Sequence, residues 1–265
     1  MTSLSRRLAR WVAALRYEDL SPAVIDRAKG LILHALASAL IGSESTEGRE
    51  AVALITEEET GVASGARIMV SGARVTSGGA AFANSEMVMA GGKLDTFRML
   101  THPGTSIIPG AFAAAEVVAA SGRALITAVA AGYEVMERMA ADFIPTVMAR
   151  GFHAGPVFGI FGPAVAASKL MAFTEDQVNS AIALCASLAA GNLEGARSGG
   201  RALREGGAVR NAMLAVALAR RGHVGGETVL EGEAGFYHAY AGSGSFSRPS
   251  TASTRRPATT SPTST

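Results

Sequence analysis

The chain has 265 residues, of which 48% are hydrophobic and 17% charged, a balance that supplies a sizeable core and excludes wholesale disorder. Its formal net charge of +2 comes from a C-terminal stretch holding Arg248, Arg255 and Arg256 and no acid. The remainder is close to neutral, which argues against a nucleic-acid footprint. The single cysteine, Cys185, excludes an internal disulfide and a multi-cysteine metal site, and so few thiols fit a reducing cytosol.

In chain order, Arg6, Arg7 and Arg10 alternate with Leu4, Leu8 and Trp11 in an amphipathic helical pattern, without the continuous apolar stretch of a signal peptide. Ser21-Pro22 is a cap and first-turn pair that predicts a helix from 22 to 41, stopped by Gly42. A second helix fits 48–59. Glycines at 61, 65, 72, 78 and 79 surround Ile68-Met69-Val70, which reads as a short strand or extended loop followed by a turn. The segment has neither a Gly-x-Gly-x-x-Gly motif nor a P-loop lysine. Further helices are predicted at about 80–90, 109–120, 125–143, 156–171, 175–190 and 207–221, with Thr174 and Gln177 forming a capping box for the fifth of these. The charge-free runs 99–115 and 151–168 both contain Pro, Gly and His, so neither reads as a membrane span. Residues 1–242 are therefore expected to form an all-α domain. Residues 243–265, mostly Ser and Thr with three Pro and three Arg, are expected to be a disordered tail.

Three segments concentrate polar groups. The loop from Lys93 to Gly104 contains Asp95, Thr96, Arg98, Thr101 and His102, which together can supply a base, an orienting hydroxyl and an anion anchor; Pro103 keeps His102 out of the α region. In Gly151-Phe152-His153-Ala154-Gly155, a histidine between small residues stands at the start of a predicted buried helix, as a helix cap or a group that a ligand can approach. The run from Arg197 to Glu205 places Arg197, Arg201 and Arg204 in a Gly-rich turn before a helix, readable as a carboxylate clamp or as a solvated charge run. His223 and His238 lack the spacing of a metal site. Cys185 falls in an apolar helix, where burial makes a thiol inert.

Six stretches, taken in order, resemble the MmgE/PrpD family: Leu20-Ser-Pro-Ala-Val-Ile-Asp-Arg-Ala-Lys; Ala80-Ala-Phe-Ala-Asn-Ser-Glu; Thr101-His-Pro-Gly-Thr-Ser with Ala113-Ala-Ala-Glu; Gly132-Tyr-Glu-Val-Met-Glu-Arg; Gly151-Phe-His; and Glu231-Gly-Glu-Ala-Gly-Phe. The family includes 2-methylcitrate dehydratases, cis-aconitate decarboxylases and an iminodisuccinate epimerase. The resemblance implies a large helical domain beside a smaller α+β lid, a cleft site between them, a homodimer in the cytoplasm, and no required metal or other cofactor. The lid is expected to be missing here, with the Ser/Thr tail in its place. The resemblance further implies a lyase acting on small polycarboxylate substrates, in which His102 and His153 exchange protons, Asp95 and Thr96 position, and Arg201 and Arg204 bind carboxylate. Two departures stand out. Gly92 occupies the first aspartate position of the family's Asp-Asp-Thr motif, and Arg201 and Arg204 occupy a lysine and a histidine position. Arginine cannot act as a proton donor, so an epimerase-like activity, or a non-catalytic helical domain that keeps the dimer surface, are the alternatives.

Overall fold

The computed structural model describes residues 2–242 except 60, 63, 100 and 199, and leaves the side chains of 196, 197 and 200–202 outside the description. The tail of residues 243–265 also lies outside the described residues.

Capping decides where most helices begin. Ser3 Oγ accepts the Arg6 N–H at the start of α1 (Leu4–Ala14), and Ser21 Oγ accepts that of Val24 at the start of α2 (Pro22–Gly42). After α3 (Thr46–Glu59), two-residue strands β1 (Ala66–Arg67) and β2 (Arg74–Val75) pair antiparallel, Ala66 opposite Val75. Thr76 Oγ1 then accepts the Gly79 N–H and opens α4 (Ser77–Ala90). Next come α5 (Gly104–Val117), α6 (Gly122–Ala140) and the short α7 (Ile144–Ala149). The chain continues through α8 (Ala154–Gly159), α9 (Phe161–Leu170), α10 (Glu175–Leu188), α11 (Gly200–Arg220) and α12 (Phe236–Ala241). The Thr174–Gln177 capping box is formed, with a hydrogen bond in each direction. Among the described residues the only strands are β1 and β2, so the fold is the all-α one expected.

Helices α4, α5 and α9 run through the centre, buried over most of their length. Helix α11 packs across α4, α5, α9 and α10, while α2 and α3 cover α4, α6 lies on α9, and α1 lies on α10. Small residues let these axes come close. A Cβ on Gly42 would overlap the Met87 carbonyl, and one on Gly91 would overlap that of Ser38, so α2 and α4 meet backbone to backbone. Ser38 Oγ seals the crossing by donating to the Val88 carbonyl at 2.8 Å.

Three predicted boundaries move, each for a physical reason. Helix α5 begins five residues before Pro109 and carries that proline inside it, because burial of nearly every α5 side chain outweighs the lost backbone hydrogen bond. The expected 156–171 helix divides into α8 and α9 at Ile160, which puts Pro163 in the first turn of α9, where its missing N–H costs nothing. Helix α11 starts seven residues earlier than expected and runs through Gly206-Gly207. A Cβ on Gly206 would overlap Glu86 Oε1, so this glycine serves a close helix crossing and does not stop the helix.

Candidate active site

The loop between α4 and α5 folds around Asp95. Both of its carboxylate oxygens lie 3.0 Å from the Gly104 nitrogen, and the Tyr133 hydroxyl, brought in by α6, donates to Oδ2 at 2.6 Å. Asp95 thereby caps α5, where an anion is favoured by the exposed N–H groups and the dipole. A Cβ on Gly104 would stand 2.8 Å from Tyr133 Oη and 2.9 Å from Asp95 Oδ1, so the contact requires glycine there. Thr101 pairs with Phe97 as an isolated antiparallel bridge, and its hydroxyl donates to the Phe97 carbonyl. Gly92, at φ +69°, turns the chain from α4 into this loop in a conformation that suits glycine.

His102 is held by the same loop. Its Nδ1 lies 2.8 Å from the Asp95 carbonyl oxygen and 3.3 Å from Thr96 Oγ1. A carbonyl only accepts, so the proton sits on Nδ1 and the neutral ring presents Nε2 as its free base. His102 is half-buried and Thr96 exposed. The three sequence-predicted residues Asp95, Thr96 and His102 thus form one connected group. Burial and the Asp95 carboxylate push the Tyr133 phenol well above its usual range. One turn further along α6, Glu137 is pushed up to about 7, first by burial and then by Glu134 and Asp95, with Arg27 opposing.

His153 comes from a second segment, between α7 and α8. It occupies the N-cap position of α8, its backbone N–H donates to the Gly191 carbonyl at 3.1 Å, and Phe152 bridges to Asn192. Its side chain is buried with that of Glu205, Nδ1 to Oε1 at 3.9 Å. The 197–205 segment is not a turn throughout: from Gly200 onward it is the beginning of α11, and Glu205 is 2% exposed. Arg204 is half-buried, with its Nη1 enclosed. Arg201 lies in the first turn of α11, and its side chain falls outside the described residues. Across from α11, Glu86 of α4 is buried and accepts the Gly206 N–H at 3.2 Å. Burial pushes its carboxyl up to about 7, against the opposing pull of that hydrogen bond.

Sequence reasoning singled out neither Tyr133, Glu137, Glu86 nor Glu205 as site residues. Glu86 did carry a signal, as the one charged residue of α4. Cys185 is fully buried, and burial pushes its thiol up beyond the range in which it would ionise. Among the described residues no group of three or more His, Cys, Asp or Glu is placed to hold a metal ion. Nor, among them, is any helix long and apolar enough to cross a membrane.

A helical domain that collects histidines and carboxylates at helix starts within an Ala/Gly core defines a class of protein before it defines a member. The chain belongs to the MmgE/PrpD family, whose N-terminal domain profile matches residues 6–249. It is 30% identical over 241 residues to the cis-aconitate decarboxylase-like protein oryM of Aspergillus oryzae, covering 86% of this chain and 49% of that protein. It is 29% identical to the cis-aconitate decarboxylase of Aspergillus terreus, with 87% and 48% covered. The human cis-aconitate decarboxylase is 29% identical over 250 residues, with 91% and 51% covered. The chain spans about half the length of these curated relatives.

Proposed function

We propose that this domain belongs to a lyase that acts on small polycarboxylates by moving protons at carbon next to a carboxylate, without a metal or organic cofactor. The supporting observation is the fixed tautomer of His102, whose Nδ1–H is committed to the Asp95 carbonyl at 2.8 Å, which leaves Nε2 to take or return a proton. Imidazole ionises near neutrality, as both directions of such a step require. In an elimination, His102 takes the proton from carbon, the electron pair left behind forms the double bond and breaks the bond to the β-hydroxyl, and a proton from protonated His153 lets that hydroxyl leave as water. In a decarboxylation, the departing CO2 leaves its electron pair on the substrate, and a protonated histidine supplies the proton that quenches it. His153 is the second proton-transfer group, Asp95 and Thr96 position His102, and Arg201 and Arg204 bind substrate carboxylate. The same reading includes a homodimer in the cytoplasm.

The test is to incubate the full chain with cis-aconitate, 2-methylcitrate, citrate and iminodisuccinate in deuterated water and follow them by proton NMR. The expected result is product, or deuterium at a carbon next to a carboxylate, with His102→Asn reducing the rate by about 100-fold or more while helicity is unchanged. Silence on every substrate from a folded protein would sink the reading and favour a non-catalytic helical domain.

A further inference from the structure

Helix α11 buries two carboxylate contacts at successive positions, and both depend on missing side chains. Glu205 lies against His153, and Gly155 makes the room: a Cβ there would stand 2.5 Å from Glu205 Oε1 and 2.8 Å from His153 Cε1. The next residue, Gly206, gives its N–H to Glu86 Oε1, and a Cβ there would overlap that oxygen. Glu86 therefore fixes the backbone of α11 immediately beside Glu205. A solvated charge run has no need of this arrangement. Burying a carboxylate is costly unless something nearby compensates, and Glu205 Oε1 lies 3.9 Å from the imidazole Nδ1 of His153, itself 5% exposed.

We infer that Glu205 is the positioning residue of His153, facing its Nδ1 so that Nε2 is the working nitrogen. The inference rests on His153 having the proton-transfer role proposed above, though its geometry does not. At 3.9 Å the pair is beyond hydrogen-bond length, but an ionised Glu205 at that distance favours one tautomer over the other. An Nδ1 lone pair aimed at a carboxylate is repelled, and an N–H aimed at it is attracted. Contacts of this kind are often long without substrate and tighten when it binds. The two histidines are then oriented by the same rule with different acceptors: His102 by a backbone carbonyl, His153 by a side-chain carboxylate that binding can draw closer.

The experiment reads the tautomer directly. The protein is labelled with 15N-histidine, the His153 ring nitrogens are assigned by loss of signal in His153→Asn, and spectra are taken at a pH where the ring is neutral. The wild-type His153 should show a protonated Nδ1 and a bare Nε2. Glu205→Gln keeps an acceptor and should hold that tautomer; Glu205→Leu removes it and should populate the Nε2–H form. Gly155→Ala, which pushes the pair apart without touching either side chain, should shift the ring the same way. A His153 with the same tautomer in all these variants would overturn the assignment, as would a wild type already protonated on Nε2. None of these readouts needs turnover, so a failed substrate panel and a failed positioning role remain separate results. Where turnover is seen, Glu205→Leu should lower kcat about 10- to 100-fold with little change in KM, and Glu205→Gln should recover part of it.

Discussion

Asp95 binds three groups at once: the Gly104 N–H, the Tyr133 hydroxyl and, through its own carbonyl, the His102 ring. Tyr133→Phe removes one donor from a charged acceptor and leaves the ring in place. It should cost about 1.5–3 kcal/mol in urea unfolding and loosen the loop that carries His102. Asp95→Asn should cost as much or more, because it discharges the cap of α5. A Tyr133→Phe protein as stable as the wild type would mean that the carboxylate is satisfied without the phenol. The part of this site that sequence could reveal is the part that is local in sequence. Asp95-Thr96 and His102-Pro103 fall within one loop, and their types alone suggest the chemistry. Tyr133 is 38 positions from Asp95, and Glu205 and His153 are farther apart still. Only the packing of α6 and α11 brings such partners together, and no spacing rule reaches across it.

Between elements, the α4–α11 crossing carries a pH dependence of its own. Glu86 is 4% exposed and its carboxyl is pushed up to about 7 by burial. A raised acid binds more protons folded than unfolded between its ordinary value and 7, so stability falls as pH rises through that window. The stabilisation is complete below the ordinary carboxylate pKa, and the loss reaches about 3 kcal/mol once the folded group is ionised. Glu86→Gln keeps an oxygen for the Gly206 N–H and removes the titration. Urea midpoints measured from about pH 5 to pH 8 should therefore fall less steeply in the variant than in the wild type, and parallel slopes would contradict the assignment. The α2–α4 crossing has a steric counterpart: Gly42→Ala sets a methyl against the Met87 carbonyl and should destabilise by at least the 1–3 kcal/mol typical of overpacking, about the loss seen when rigid neighbours must shift. Helix existence was legible here where caps such as Ser21 and Thr174 stand before apolar runs. Boundaries were not legible at Pro109, Pro163 and Gly206, where local breakers serve tertiary contacts that the sequence does not display.

At the level of the whole molecule, the two ends of the described chain hold each other. Arg6 of α1 reaches Asp176 at the start of α10 and Glu227 beyond α11, and the Leu4 N–H donates to Glu231. Hydrogen bonds from Arg6 and Ser3 hold the Glu227 carboxyl down at about 2. This tie is present above the ordinary carboxylate pKa and is lost as pH falls toward 2, the opposite sense to Glu86. One face is left over. On α2, Leu33 is 69% exposed, Leu40 61% and Ile41 52%, positions seven and eight residues apart that share one side of the helix. Exposed leucines scattered singly mean little, but a stripe on one helix is the surface an apolar partner would cover. The homodimer proposed above would bury this stripe against itself if two copies met α2 to α2 about a two-fold axis. Light scattering behind gel filtration should then give twice the chain mass of 27.0 kDa, and the double substitution Leu33→Asp with Leu40→Asp should return it to one. Neither leucine is buried in the core, so helicity and the unfolding midpoint of the variant should barely change. A wild type that elutes at single-chain mass at every concentration tested would rule out this mode of pairing.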